Sequence, residues 1–335
     1  MVSMERVIFL GPRKIRLEEV PKPERKSNEA LLKVLYVGIC GSDLQTYQGS
    51  SPSVTYPIVP GHELCCEVIE SDEKFSPRDI VVVEPLLSCG HCYPCSVGRY
   101  NCCEQLKVLG IQTDGGMAEE IVLPIKLLYR LPRDTDPSYA PLIETLSIGY
   151  HACNRGRVER GDNVLIIGAG PIGLGAALVA KERGAKVGTV DQLESRLRLS
   201  QELGIDFTFQ VNGGMESRII NKFGCRPNVV IEAVGSPKTL EQGLEIISAA
   251  GRMVFVGWTS QSPQWRPDFF LKKELDFLGA RNSCSIFPDV IHFYQRNLDK
   301  LKRLVTHRFK MDEIEKAMNF IDAHGAQTMK VIMEW

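Results

Sequence analysis

The sequence predicts a two-domain α/β protein: a mostly β region, then a doubly wound parallel sheet, then a tail that returns to the first region. Three observations carry this. Up to roughly residue 150, short apolar runs such as Ala30 to Val37 and Ile80 to Val83 alternate with turn-rich stretches, Gly49 to Pro60 and Ser88 to Gly98. Beyond it, buried-strand runs (Val164 to Ile167, Lys186 to Val190, Asn228 to Ala233, Arg252 to Val256) alternate with helical stretches such as Pro171 to Arg183 and Leu240 to Ala249. From Ser283 the repeat stops, leaving an amphipathic helix over Met311 to His324 and a strand over Thr328 to Met333. The expected boundaries are 1–147, 148–282 and 283–335.

A chain of 335 residues exceeds what one hydrophobic core usually serves. With 40 basic against 41 acidic residues the net charge is −1, which gives no electrostatic reason to bind nucleic acid or an anionic membrane. The uncharged run Val164 to Ala180 is shorter than the ~20 residues a membrane helix needs and is interrupted by Gly and Pro. No repeat or low-complexity segment is present. Met1 to Leu10 carries no secretory pattern, so the eleven cysteines are expected in a reducing, cytoplasmic setting, with Cys65, Cys153, Cys225 and Cys284 as buried thiols.

Four of the cysteines, Cys89, Cys92, Cys95 and Cys103, fall in the run SCGHCYPCSVGRYNCC with spacing C-x2-C-x2-C-x7-C. Thiolates at such intervals on a tight loop converge on one tetrahedral centre, and four sulfurs with no open position describe a structural Zn2+. Disulfides are the competing reading, disfavoured by the compartment. Cys102 adjoins Cys103, and on chemistry alone either can be the last ligand.

In the second region GAGPIG, Gly168 to Gly173, follows an apolar strand and opens a helix. Gly168 permits the tight turn, Gly170 lets backbone approach a pyrophosphate, and Gly173 lets helix and strand pack closely; Pro171 and Ile172 open the helix, whose N-terminus faces the phosphates. The next strand ends in Asp191. A carboxylate there accepts the ribose hydroxyls of an adenosine and repels a 2′-phosphate, favouring NAD over NADP. An ordinary αβ turn and a helix-capping aspartate are the bland alternatives. Arg196 is placed to stack on the adenine or simply to stay solvated.

Cys40, His62, Glu63 and Glu144 each have an unremarkable explanation alone: a small buried thiol, a loop histidine, two exposed acids. No spacing rule joins them. Taken with GICGSD (Gly38 to Asp43), PGHE (Pro60 to Glu63), GGMAEE (Gly115 to Glu120), the cysteine run and GAGPIG, however, the chain resembles the zinc-dependent medium-chain dehydrogenases over nearly its whole length. Within them it is most similar to the sorbitol and threonine dehydrogenase branch, and there to the L-gulonate/L-galactonate 5-dehydrogenases, through Val81 to Cys103, Val108 to Glu119 and Leu278 to Ser283.

The resemblance implies a GroES-like catalytic domain interrupted by a Rossmann domain, two zinc ions per chain, one catalytic and one structural, NAD as acceptor, and a dimer or tetramer of identical chains. It makes Cys40 and His62 constant ligands of the catalytic zinc, with Glu63 and Glu144 binding directly or through water. Cys103 becomes the fourth structural ligand, Ser42 the hydroxyl that relays the substrate proton, and Asp43 the acid that orients His62. Val256, Gly257, Ala280, Arg281 and Asn282 fall where relatives hold the nicotinamide; Arg281 and Asn282 could also reach a polar substrate, a surface ion pair being an equally good reading of Arg281.

Three positions depart from the family pattern. Gln45 stands where many relatives have a histidine that passes the proton to solvent, and an amide cannot titrate. Cys66 replaces a glycine shortly after GHE, putting a thiol near the zinc loop. Ser71 to Asp79 is shorter than usual, a trimmed surface turn. The expected activity is oxidation of a secondary alcohol of a polyol or sugar acid to a ketone, or its reverse. The rivals are L-threonine, sorbitol or inositol dehydrogenation, a zinc-free reductase, and a non-catalytic module that keeps both sites as structural devices.

Overall fold

The computed structural model describes residues 3–72 and 74–335; Glu73, inside the turn expected to be short, lies outside them. The chain divides into two compact units, 1–144 with 287–335, and 145–286.

The first unit is built on a hairpin, β1 (Ser3–Gly11) and β2 (Lys14–Pro21), and a mixed sheet. In chain order come β3 (Glu29–Ile39), the short helix α1 (Gly41–Gln48), β4 (Glu63–Glu70), β5 (Ile80–Val83), the small strand β6 (Leu86–Leu87), the turn of helix α2 (Tyr93–Ser96), β7 (Lys107–Val108), β8 (Glu120–Pro124) and β9 (Leu128–Arg130). Helix α3 (Leu142–Arg155) follows.

The second unit then reads β10 (Asn163–Ile167), α4 (Pro171–Glu182), β11 (Lys186–Asp191), α5 (Glu194–Glu202), β12 (Phe207–Gln210), α6 (Met215–Phe223), β13 (Val229–Glu232), α7 (Pro237–Ile246), β14 (Arg252–Phe255), α8 (Asp268–Lys273) and β15 (Asp276–Gly279). These strands form one parallel sheet in the order β12-β11-β10-β13-β14-β15. Runs such as VLII in β10 and VVI in β13 are buried throughout, as strands covered on both faces must be. Leu165, Val190, Phe209, Phe223 and Val230 belong to one apolar cluster, in which truncating Leu165 to Ala would cost about 2–5 kcal/mol. The order of strands reverses between β10 and β13, the point at which doubly wound sheets bind ligands.

The tail re-enters the first unit as α9 (Phe287–Leu301), β16 (Val305–Lys310), α10 (Ile314–His324) and β17 (Lys330–Glu334). Strand β17 pairs antiparallel with β3, giving the order β16-β17-β3-β4-β5-β9, with β8 also on β3. Both the mostly β architecture of the first region and the parallel sheet of the second agree with the sequence.

Details differ. Met311–Glu313 forms a 3-10 turn and the α-helix begins only at Ile314. Thr328 and Met329 precede β17. Cys225 is exposed, because helix α6 ends at Phe223 with Gly224 as its C-cap, and the thiol sits in the connection to β13. Cys284 is partly exposed in the turn before α9. Apolar character alone does not bury a residue where the chain is turning. Cys65 and Cys153 are buried as expected, and among the described residues no helix is long and apolar enough to cross a membrane.

Candidate active site and metal centres

Three chain segments of the first unit converge on a buried donor cluster. Cys40 follows the end of β3 and is the N-cap residue of α1, His62 lies in the loop before β4, and Glu63 opens β4, where it pairs with Gly38 of β3. One donor atom from each of Cys40, His62 and Glu63 lies within 4.8 Å of the others. Antiparallel pairing of β3 with β4 creates this meeting of residues far apart in sequence.

Asp43, in the first turn of α1, is 1% exposed. Its carboxylate accepts from the Cys40 N–H at 2.8 Å and the Gly61 N–H at 3.4 Å, and one oxygen stands 3.8 Å from His62 Nδ1. That nitrogen is buried without a hydrogen-bond partner. Asp43 thus faces Nδ1, which leaves Nε2 as the ring nitrogen for a metal.

Glu144 is outside the three-residue group and sits in the first turn of α3. Burial pushes its carboxyl up to about 7, with Glu63 and Asp43 adding to the effect against the pull of His62 and Lys330. Burial would depress the His62 pKa, but Asp43, Cys40 and Glu144 outweigh it and the imidazole titrates well above its ordinary value. Asp43 is raised, first by burial. A thiol and three acids crowded into a buried space around an imidazole form a donor set suited to a divalent cation. Ser42 Oγ, two residues beyond Cys40 in the first turn of α1, is likewise buried without a partner.

Sequence reasoning missed one member of this cluster. Lys330 of β17, 4% exposed, donates to both oxygens of Glu63 and to the Ile39 carbonyl. A lone lysine within the apolar run of a buried strand was the available signal. Cys66, by contrast, packs in the apolar core, its thiol pushed up by burial, and takes no part in the cluster. Gln45 is exposed on α1.

The second centre is the cysteine lobe. One sulfur from each of Cys89, Cys92, Cys95 and Cys103 lies within 4.8 Å of the rest, and Cys102 is outside the group. Cys92 Sγ is 3.5 Å from Cys95 Sγ and 3.8 Å from Cys103 Sγ. A tetrahedron with Zn–S of ~2.3 Å has edges of ~3.8 Å, so the four sulfurs fit one zinc, whereas a disulfide requires ~2.05 Å. Backbone N–H groups of His91 and Cys92 hold the Cys89 thiol down to about 6, favouring the thiolate a metal needs.

In the second unit the GAGPIG loop links β10 to α4. Gly168 has φ +100°, and a Cβ at Gly173 would lie 1.8 Å from the Gly168 carbonyl oxygen, so both positions demand glycine. A Cβ on Gly170 would meet nothing nearer than Arg196 at 4.0 Å, leaving the backbone open to a phosphate. Helix α4 starts at Pro171, followed by Ile172, and no side chain caps it. Asp191 accepts from the Ala169 N–H at 2.8 Å and the Leu193 N–H at 2.9 Å, and Arg196 Nη1 stands 3.7 Å away. Val256 and Gly257 follow β14; Ala280, exposed Arg281 and Asn282 follow β15. The loop, the uncapped helix and the acid suit the pyrophosphate and adenosine ribose of a dinucleotide.

Comparison with known proteins agrees with this geometry. Residues 26–133 match the alcohol dehydrogenase GroES-like domain and residues 171–296 the zinc-binding dehydrogenase domain. A zinc-type alcohol dehydrogenase-like protein of Haemophilus influenzae is 37% identical, over 96% of this chain and 95% of its own. L-galactonate-5-dehydrogenase of Escherichia coli is 34% identical, over 92% of each chain. The crystal structure of an E. coli alcohol dehydrogenase, RspB, complexed with NADH superimposes with a TM-score of 0.93 at 31% identity, over 99% of both chains. With two domain models matched in order and near full-length relatives, the chain belongs to the zinc-type alcohol dehydrogenase family and is a dehydrogenase with a GroES-like domain and a Rossmann domain.

Proposed function

We propose that the enzyme oxidises a secondary alcohol of a polyol or sugar acid to the ketone, or runs the reverse reduction, with NAD as partner, in the manner of a hexonate 5-dehydrogenase. The observation that carries this reading is the cluster of Cys40, His62 and Glu63, with a partnerless buried hydroxyl on Ser42, two residues along the chain from Cys40. When bound, zinc supplies Lewis acidity to the substrate hydroxyl and NAD supplies the hydride acceptor.

The chain's own residues do the rest. Cys40, His62 and an acid, Glu63 or Glu144, would hold the metal, and the Asp43 carboxylate, 3.8 Å from Nδ1, favours the His62 orientation that presents Nε2. Ser42 Oγ, lacking an acceptor or donor of its own, takes the substrate proton. Gln45 cannot carry it onward, so water completes the relay. The α4 N-terminus receives the pyrophosphate. Asp191 accepts the adenosine ribose hydroxyls and repels a 2′-phosphate.

The polyol and sugar-acid class is supported by likeness to L-galactonate-5-dehydrogenase along most of the chain. The test is NAD reduction measured against aldonates such as L-galactonate and L-gulonate, polyols including sorbitol, inositol, L-threonine and simple primary alcohols. A hexonate or polyol is expected to give the highest kcat/KM. Turnover of primary alcohols alone would overturn the assignment.

A further inference from the structure

Glu232, the last residue of β13, is completely buried, and no cation pairs with it among the described residues. An isolated buried carboxylate is costly unless hydrogen-bonded. One oxygen, Oε1, accepts three bonds of 2.8 Å, from the Val234 N–H, the Gly235 N–H and the Thr239 hydroxyl. Oε2 is buried with no partner. The carboxylate therefore ties the turn after β13 to the first turn of α7, where Thr239 resides.

The same residue fixes the neighbouring strand end. Its carbonyl accepts from the Val256 N–H at 2.8 Å and the Gly257 N–H at 3.3 Å. The two turns touch through glycine: a Cβ on Gly257 would lie 2.1 Å from the Gly235 nitrogen, and one on Gly235 would lie 2.4 Å from the Trp258 oxygen. Val234 is left about half exposed at 52%, leaning toward the dinucleotide loop, where a Cβ on Gly168 would meet its Cγ2 at 2.7 Å. These turns lie at the carboxyl ends of β13 and β14, just past the strand-order reversal. A doubly wound sheet has two mononucleotide halves, and this is the half opposite Asp191.

We infer that Glu232 is a positioning residue for the nicotinamide half of the cofactor, locking Val234 and Val256 to Gly257 at the height that half requires. The inference rests on the dinucleotide reading above. Because only one oxygen is used, a glutamine oxygen can accept the same bonds. In the full-length, zinc-loaded enzyme, dissociation constants for NADH and for 5′-AMP would be measured by calorimetry in wild type, E232A and E232Q. E232A is expected to weaken NADH at least tenfold and 5′-AMP less than twofold, and E232Q to recover most of the lost NADH affinity. If E232A does not fold, T239V, which removes one donor, is expected to weaken NADH about threefold while sparing 5′-AMP. Equal loss of both ligands, or no loss of NADH affinity, would overturn the inference. Failure of the wild type to bind NADH would instead remove the dinucleotide reading beneath it.

Discussion

Lys330 Nζ stands 2.6 Å and 2.8 Å from the two carboxylate oxygens of Glu63, both side chains being almost fully buried. The pair reaches from β17 to β4 across β3, over Gly38, where a Cβ would lie 2.0 Å from Glu63 Oε2. The first glycine of GICGSD therefore clears the path for an ion pair beside the donor cluster. Burial depresses the Lys330 pKa, but Glu63 and Cys40 outweigh it, and the ammonium is held above its ordinary value.

Removing one partner of a buried pair leaves an uncompensated charge, which costs about 3–5 kcal/mol. K330M is expected to destabilise the chelator-treated protein by that amount, and the zinc-loaded protein by clearly less, since the metal supplies replacement positive charge to Glu63. Urea unfolding of wild type and variant, with and without chelator, checks this. Equal losses under both conditions would mean that Glu63 does not turn toward the metal.

How much of this was visible in the sequence depends on whether the determinant is local. The dinucleotide turn could be read because Gly168, Gly170 and Gly173 act within one strand-turn-helix, and the lobe because its sulfurs lie on one loop. Cys40, His62 and Glu63 meet only through β3–β4 pairing, so spacing could not join them and family likeness had to. Lys330 arrives from 267 residues away, carried by the parallel and antiparallel pairing of the tail. Glu232 and Glu84 look like ordinary acids until the structure shows what donates to them.

Glu84 gives a pH dependence of known sign. Its two oxygens accept from the Tyr100 hydroxyl at 2.6 Å and the Tyr129 hydroxyl at 2.9 Å, linking the cysteine lobe to β9. Burial raises its pKa above 4.5, against the lowering effect of both phenols. Between that unfolded value and the raised folded one, the native state keeps a proton the unfolded chain has lost. Its contribution to stability is therefore full below pH 4.5 and is lost as pH rises through the folded pKa. E84Q does not titrate, so the stability of wild type relative to E84Q should fall across that window. Urea unfolding over a pH series measures the difference; parallel curves would contradict it.

Asp191 is expected to set cofactor choice. D191A loses acceptors for the ribose hydroxyls and leaves Arg196, now 3.7 Å away, free to meet a 2′-phosphate. At about 1.5–3 kcal/mol for a hydrogen bond to a charged group, kcat/KM for NAD should drop by about ten- to a hundredfold. The NAD to NADP ratio of kcat/KM, from steady-state kinetics, should fall by at least as much. An unchanged ratio would place discrimination elsewhere.

Ser42 is expected to carry the proton away from the substrate. Since general acid–base groups contribute about 10²–10⁴-fold, S42A should lower kcat by about a hundredfold or more. Bound zinc, counted by elemental analysis, should stay at the wild-type level. A kcat within threefold of wild type would exclude the relay.

The account depends most on a second, catalytic metal held by Cys40, His62 and an acid. Its most direct test is metal content by elemental analysis, taken on the same samples as NAD-linked turnover of the best polyol or sugar-acid substrate, in wild type and C40A. Two zinc ions per chain in wild type, and one in C40A with turnover reduced to about 1% or less, are predicted. One zinc in the active wild type, or full activity in C40A, would contradict it.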